Sequence, residues 1–200
     1  MVKLGILLSG RGSNFVAIAD NIAQGKLTGC EIAVVLSNKA DAPGLSAARE
    51  RGLTAVAIEA NGRKRAEQDQ AIIQCLREHG VELICLAGYM RLLSPGFVQA
   101  FPQRILNIHP SLLPAFPGLD AQEQAFNYGV QVAGCTVHFV DEQLDHGVIV
   151  LQKTIPVLET DNTHTLADRI LEQEHIVYSE AIARVISNEY RVDGRRYVKG

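Results

Sequence analysis

The stretch VKLGILLSGRGSN, residues 2–14, joins an apolar run to a glycine-rich turn. Residues 2–8 read as a short strand, and Phe15, Ile18, Ala19 and Ile22 then recur on one face of a helix over 14–24. Strand, glycine turn and helix in that order open a parallel α/β sheet. Gly10 and Gly12 permit the tight turn, and Ser13 and Asn14 are expected to add side-chain hydrogen bonds and cap the helix. A helix N-terminus exposed in this way offers N–H groups and a favourable dipole to an anion, phosphate above all. The loop departs from a dinucleotide fingerprint: Phe15 stands where a third small residue is needed, and the next strand ends in Leu36-Ser37-Asn38-Lys39, with no acidic residue. No Walker Gly-Lys-Ser/Thr is present either, so ATP binding has little support.

Outward from this unit the alternation continues. EIAVVLS (31–37), TAVAI (54–58), VELICLAG (81–88) and RILNI (104–108) read as strands, and helices are expected at 44–51, 65–79 and 94–101. The last of these starts with Ser94 as cap and Pro95 at the first helical position. Nearly continuous apolar strands separated by helices imply a parallel sheet covered on both faces. After a helix at 120–129 the pattern changes. Strands at 132–140 and 148–157 are joined by the acidic turn DEQLDHG (141–147), a long helix covers 163–188, and the Asp-Gly pair in YRVDGRRYV predicts a terminal hairpin at 190–198. The expectation is a single α/β domain over 1–200, with a mostly parallel sheet and an antiparallel C-terminal portion.

Composition narrows the function classes. The chain has 200 residues, 47% hydrophobic and 20% charged, which supplies a core and argues against disorder. It has no Trp, and aromatics make up only 6%, which disfavours stacking platforms for sugars or single-stranded nucleic acid. The formal net charge is −3, and basic residues cluster only at Arg63, Lys64 and Arg65 and at Arg195 and Arg196. That footprint is too small to track a nucleic-acid backbone. None of the four cysteines forms a C-x-x-C pair, so free thiols in a reducing compartment are expected. With no signal-peptide layout and no apolar stretch of transmembrane length, the cytoplasm is the expected location and no membrane partner is expected.

In RILNIHPSLLPAFPG, strand alternation puts Asn107 and His109 on the same side as the strand runs out. This is the end of a strand where open α/β folds place chemistry. Pro110 biases His109 toward extended geometry, and Pro114 and Pro117 stiffen the loop that follows. An amide donor beside an imidazole suits acyl-type chemistry: Asn107 can stabilise a carbonyl oxygen as charge develops, and His109 can move a proton near neutral pH. The competing structural reading is a satisfied loop histidine with an amide that closes a turn. Asp145 is a third candidate, since a carboxylate aimed at His109 would favour imidazolium. Leu144 between polar neighbours suggests that the turn packs inward, while Asp141 and Glu142 compete with Asp145 or simply face solvent.

Other groups carry less. His79 precedes Gly80 at a helix end, where a dipole contact explains it, and His164 and His175 lack ligand spacing on the last helix. His138 alternates with Thr136 and Val140 on one strand face and is a candidate pocket residue. No cluster has metal-ligand spacing, so no metal is assigned. Ser111 lies close to His109, but it follows a proline and the G-x-S-x-G elbow is absent.

Taken together, SGRGSN (9–14), SNKADAPGL (37–45), LAGYMRLLSP (86–95), LNIHPSLLPAFPG (106–118), GCTVHFVDEQLDHGVIV (134–150) and QEH (173–175) closely resemble the folate-dependent phosphoribosylglycinamide formyltransferases. The likeness runs in order over about residues 1–188. It implies a Rossmann-like fold with helices on both faces, and transfer of formyl from 10-formyltetrahydrofolate, as co-substrate, to 5-phosphoribosylglycinamide in purine synthesis. By the same resemblance the catalytic residues are Asn107, His109 and Asp145, and the ribonucleotide is held by Gly12, Ser13, Asn14 and Glu174. The folate side falls on Arg65, Met90, Arg91, Leu92, Leu93 and Asn107, with Asp141, Glu142, Gln143, Leu144 and Asp145 of the acidic turn, and His138 is a pocket residue. The chain departs from some relatives at Ala115, where they carry Lys, and at Asp120, where they carry His, which bears on phosphate-side electrostatics.

Two related activities and one non-enzymatic reading remain as alternatives. Methionyl-tRNA formyltransferases add a C-terminal tRNA-binding domain, for which 200 residues leave no room. Formyltetrahydrofolate hydrolases usually add an N-terminal domain, whereas this sequence opens on the first strand. A non-catalytic nucleotide-binding module has no need of the Asn, His and Asp trio.

Overall fold

The computed structural model describes residues 1–200, which divide into two compact units, Met1–Leu106 and Asn107–Gly200. The first contains β1 (Val2–Leu8), α1 (Ser13–Ala23), β2 (Cys30–Ser37), α2 (Pro43–Glu50), β3 (Ala55–Ala57), α3 (Arg65–Glu78), β4 (Leu83–Leu86) and α4 (Pro95–Ala100). β1 lies between β2 and β4 and is parallel to both, and β3 adds in parallel to β2. Leu4, Ile6, Leu7 and Leu8 of β1 are wholly buried, as are Val34 and Val35 of β2 and Ile84 and Cys85 of β4. Neighbouring residues on these strands point to opposite faces, so both faces are covered, and the strands read as unbroken apolar runs for that reason. Each such aliphatic side chain contributes about 1.5–3 kcal/mol by leaving water.

The glycine turn starts α1 differently from the expectation that Ser13 and Asn14 cap it. Gly12 is the cap residue, in the left-handed region at φ 68° and ψ 40°, and no side chain completes the cap. Ser13 is already the first helical residue, and Asn14 follows it, buried. A side-chain cap must come from the residue just outside the helix, and here that residue is a glycine chosen for its backbone. Ser94 does cap α4, with its hydroxyl oxygen accepting from the Phe97 amide at 3.3 Å.

β5 (Ile105–His109) crosses into the second unit, which continues with α5 (Ala121–Tyr128), β6 (Val132–Phe139), β7 (Ile149–Pro156), α6 (Thr163–Ile186), β8 (Tyr190–Asp193) and β9 (Arg196–Lys199). β6 and β7 are antiparallel, with a register shift between Val137 and His138. Such irregularities re-aim a side chain beside a site. α6 packs on both strands and buries Leu166, Ile170, Val177, Tyr178, Ala181 and Ile182. Asn162 caps it, accepting from the amides of His164 and Thr165 at 2.9 and 3.0 Å. β8 and β9 form a separate antiparallel hairpin. The hydrogen-bonded strand order is β3-β2-β1-β4-β5-β6-β7, a mostly parallel seven-stranded sheet accompanied by the small two-stranded one. No helix is long and apolar enough to cross a membrane.

Candidate active site

In the second unit, β5 delivers Asn107 and His109, β6 delivers His138, and the turn after β6 delivers Asp145. The structure brings these four side chains together. His109 Nδ1 lies 3.4 Å from Asp145 Oδ2, and His138 Nε2 lies 3.7 Å from Asp145 Oδ1. Asn107 Nδ2 lies 3.3 Å from His138 Nε2. The His109, Asp145 and His138 side chains are only 6%, 8% and 2% exposed, so their charges interact with little solvent screening.

The hydrogen-bond partners assign the protons. His138 Nδ1 is 2.9 Å from the Phe139 carbonyl oxygen, which can only accept, so Nδ1 carries a proton. Burial pushes the His138 pKa below its ordinary value, and the like charge of a protonated His109 works in the same direction; the Phe139 carbonyl and the carboxylates of Asp145 and Asp141 oppose the shift without reversing it. His138 is therefore neutral, with a lone pair on Nε2. That lone pair accepts from the Asn107 amide, which turns Nδ2 toward His138 and leaves its second N–H for another acceptor. His109 stands between two oxygens: Nε2 donates to the Phe116 carbonyl at 2.8 Å, and Nδ1 faces Asp145.

The loop after His109 is shaped by contacts that sequence reading did not identify. The Gly118 amide donates to Asp145 Oδ2 at 2.8 Å, so the loop also holds the carboxylate. Thr136 Oγ1 donates to the Ser111 carbonyl at 2.7 Å and accepts from the Leu113 amide at 3.1 Å. Gln152 Nε2 reaches the Leu113 carbonyl and Thr136 Oγ1, both at 2.9 Å. Ser111 is occupied too, donating to the Ala115 carbonyl at 2.6 Å, which fits a loop-forming role rather than a nucleophile. Only the run of prolines in this loop hints at such fixation, because the partners come from β6 and β7.

The acidic turn corrects one expectation. Leu144 does not pack inward: it is 58% exposed, and Asp145 next to it is the residue that turns in. The reversal follows from the Asp145 backbone, at φ 49° in the left-handed region, which swings the chain between the two side chains. Asp141 pairs with His146 at 2.7 Å, while Glu142 and Gln143 are exposed. Glu174 of α6 is buried, and its charge, after burial itself, helps push the Cys135 thiol up to about 12.

The other residues of the resemblance belong to the first unit. Gly12, Ser13 and Asn14 form the start of α1, and Arg65 is the exposed first residue of α3. Met90 and Leu92 are 71% and 59% exposed, with Arg91 and Leu93 half-buried between and after them. Ser9 ties this segment to β1: its hydroxyl accepts from the Met90 amide at 2.8 Å and donates to Asn38 at 2.5 Å. Asp69 of α3 likewise accepts from the Ser94 amide at 2.7 Å. Two exposed apolar side chains on an anchored segment offer an apolar surface. No group of three or more His, Cys, Asp or Glu residues is placed to hold a metal ion.

Comparison with known proteins gives the family. The phosphoribosylglycinamide formyltransferase of Bacillus subtilis (strain 168) is 43% identical over 187 residues, covering 93% of this chain and 95% of that protein. The crystal structure of glycinamide ribonucleotide transformylase 1 from Symbiobacterium toebii has a TM-score of 0.96 at 48% identity, covering 100% of this chain and 94% of that one. The trifunctional purine biosynthetic protein adenosine-3 of Gallus gallus is 43% identical over 192 residues, 96% of this chain but 19% of that protein, so the chain spans about a fifth of its length. The sequence profile of the formyl transferase family matches residues 2–182. With fold, profile and full-length relatives in agreement, the chain belongs to the formyl transferase family.

Proposed function

We propose that this chain is an enzyme that transfers the formyl group of 10-formyltetrahydrofolate directly to the amine of 5-phosphoribosylglycinamide, a step of purine synthesis. The observation that carries the reading is the buried His109–Asp145 pair beside an Asn107 amide already oriented by a neutral His138. The names of the near full-length bacterial relatives support the ribonucleotide as formyl acceptor, and the folate donor follows from the sequence resemblance.

In the proposed reaction the amine nitrogen attacks the formyl carbon, and a new C–N bond forms as charge collects on the formyl oxygen. The second N–H of Asn107 stabilises that oxygen, as does the Nε2–H of a protonated His109 when it turns from the Phe116 carbonyl. Asp145 holds the His109 ring, and its carboxylate helps move a proton from the attacking nitrogen, through water, to the folate nitrogen as the old C–N bond breaks. No formyl-enzyme is required, and much of the rate comes from orientation.

The ribonucleotide phosphate is assigned to the Gly12-Ser13-Asn14 start of α1, where the chain presents a helix N-terminus with no side-chain cap, and the ribose to Glu174. The folate is assigned to Arg65, the Met90–Leu93 segment and the 141–145 turn. The four cysteines form no disulfide, which suits a reducing cytoplasm. One assay tests the function: labelled formyl donor is incubated with and without the glycinamide ribonucleotide. Label moving into the glycinamide product only when acceptor is present supports the transferase. Equal loss of formyl without acceptor selects a hydrolase, and no loss in either arm selects a non-catalytic module.

A further inference from the structure

The acidic turn that carries Asp145 is gripped by the C-terminal hairpin, which lies beyond the end of the family match at residue 182. Arg195, at the tip between β8 and β9, donates from Nη2 to the His146 carbonyl oxygen at 2.5 Å. Its Nη1 lies 3.4 and 3.3 Å from the two ring nitrogens of His146, 49 residues away in sequence. His146 Nδ1 in turn donates to Asp141 Oδ2 at 2.7 Å, and the other Asp141 oxygen accepts from the Gln143 amide at 2.9 Å. The turn is thus cross-tied on either side of Asp145, and Arg195 holds the carbonyl of the next residue, His146.

The hairpin has a firm footing of its own. Tyr197 meets Phe139, the last residue of β6, edge to face at 5.4 Å between ring centres. Tyr190 stacks on Tyr197 at 5.5 Å, and the Arg184 guanidinium of α6 lies 4.9 Å over the Tyr190 ring. The turn closes at Gly147, where a Cβ would overlap the Phe139 carbonyl oxygen. The same aromatic residue therefore anchors both the hairpin and the return of the turn. Asp145 itself holds a left-handed backbone conformation at φ 49°, which a non-glycine residue keeps only where its surroundings over-determine it.

We infer that the hairpin is a strap on the acidic turn and that Arg195 is a positioning residue, acting through the His146 carbonyl to hold Asp145 against His109. The inference rests on the catalytic role proposed for Asp145. It is tested on the full chain with R195A and R195K, by hydrogen exchange of the amides from Asp141 to Gly147 and by turnover and KM for each substrate. In R195A, exchange in the turn rises roughly tenfold through loss of a charge-assisted bond. Turnover falls roughly three- to tenfold, with KM for the ribonucleotide unchanged, because the catalytic carboxylate is less well placed. R195K, which keeps a donor for the carbonyl, recovers most of both.

Exchange at the wild-type level in the R195A turn overturns the strap. So does a rise that extends through α6 and β6, since that is general loosening, and so does raised exchange with unchanged turnover. If the wild-type chain transfers no formyl group at all, the reading of the site fails, while the exchange comparison still decides whether Arg195 holds the turn.

Discussion

His109 and Asp145 face each other with Nδ1 3.4 Å from Oδ2, and both side chains are nearly closed to solvent, at 6% and 8% exposure. The contact is longer than a strong N–H···O bond, yet a carboxylate so buried still exerts a strong field on the ring. The Gly118 amide at 2.8 Å fixes the same carboxylate oxygen, so the pair is held from the loop side as well.

Asp145→Asn keeps the volume and removes the charge. Turnover is expected to fall roughly 10–100-fold, because the His109 ring loses the carboxylate that faces it. Steady-state rates of D145N with both substrates saturating check this. A solvated turn residue would leave the rate as in the wild type.

His138 bears on stability as well as on the Asn107 amide. Its folded pKa is pushed below the ordinary 6.5, so as pH falls through that value the unfolded chain takes up a proton that the folded chain resists. The stability tied to neutral His138 is present above about pH 6.5 and is lost as pH drops toward the depressed folded value. His175 is shifted downward by burial too, so the comparison must be differential. The melting temperature of the wild type should decline more steeply between pH 7 and 5 than that of His138→Gln. Parallel curves would show that folding does not lower the His138 pKa.

Gly12→Val probes the phosphate assignment. Gly12 is left-handed at φ 68°, and a Cβ would also stand 2.8 Å from Leu8 Cδ2, so some loss of stability is expected along with the binding defect. Binding measured calorimetrically should show the ribonucleotide dissociation constant rising roughly tenfold or more beyond any change for a folate analogue. Equal weakening of both ligands would indicate general unfolding instead.

Much of this was legible in residue order. Unbroken apolar runs marked the buried parallel strands, Ser94-Pro95 marked the start of α4, and the Asp-Gly pair at 193–194 stands in the turn of the β8–β9 hairpin. Legibility failed where the outcome turned on one dihedral angle or on a distant partner. Gly12 rather than Ser13 caps α1 because the left-handed backbone occupies the cap position. Leu144 faces out because Asp145 has positive φ, which hydrophobicity does not encode. The bond from Asn107 to His138 spans 31 residues and that from Arg195 to His146 spans 49, and periodicity within a strand specifies a face without specifying what meets it.

The most direct measurement is the turnover of His109→Ala with both substrates saturating. Proton transfer and oxyanion support would both be lost, so the rate should fall by about 10²-fold or more while ribonucleotide binding changes little. Near wild-type turnover in H109A would contradict the assignment of this imidazole, and with it the catalytic role given to the buried pair.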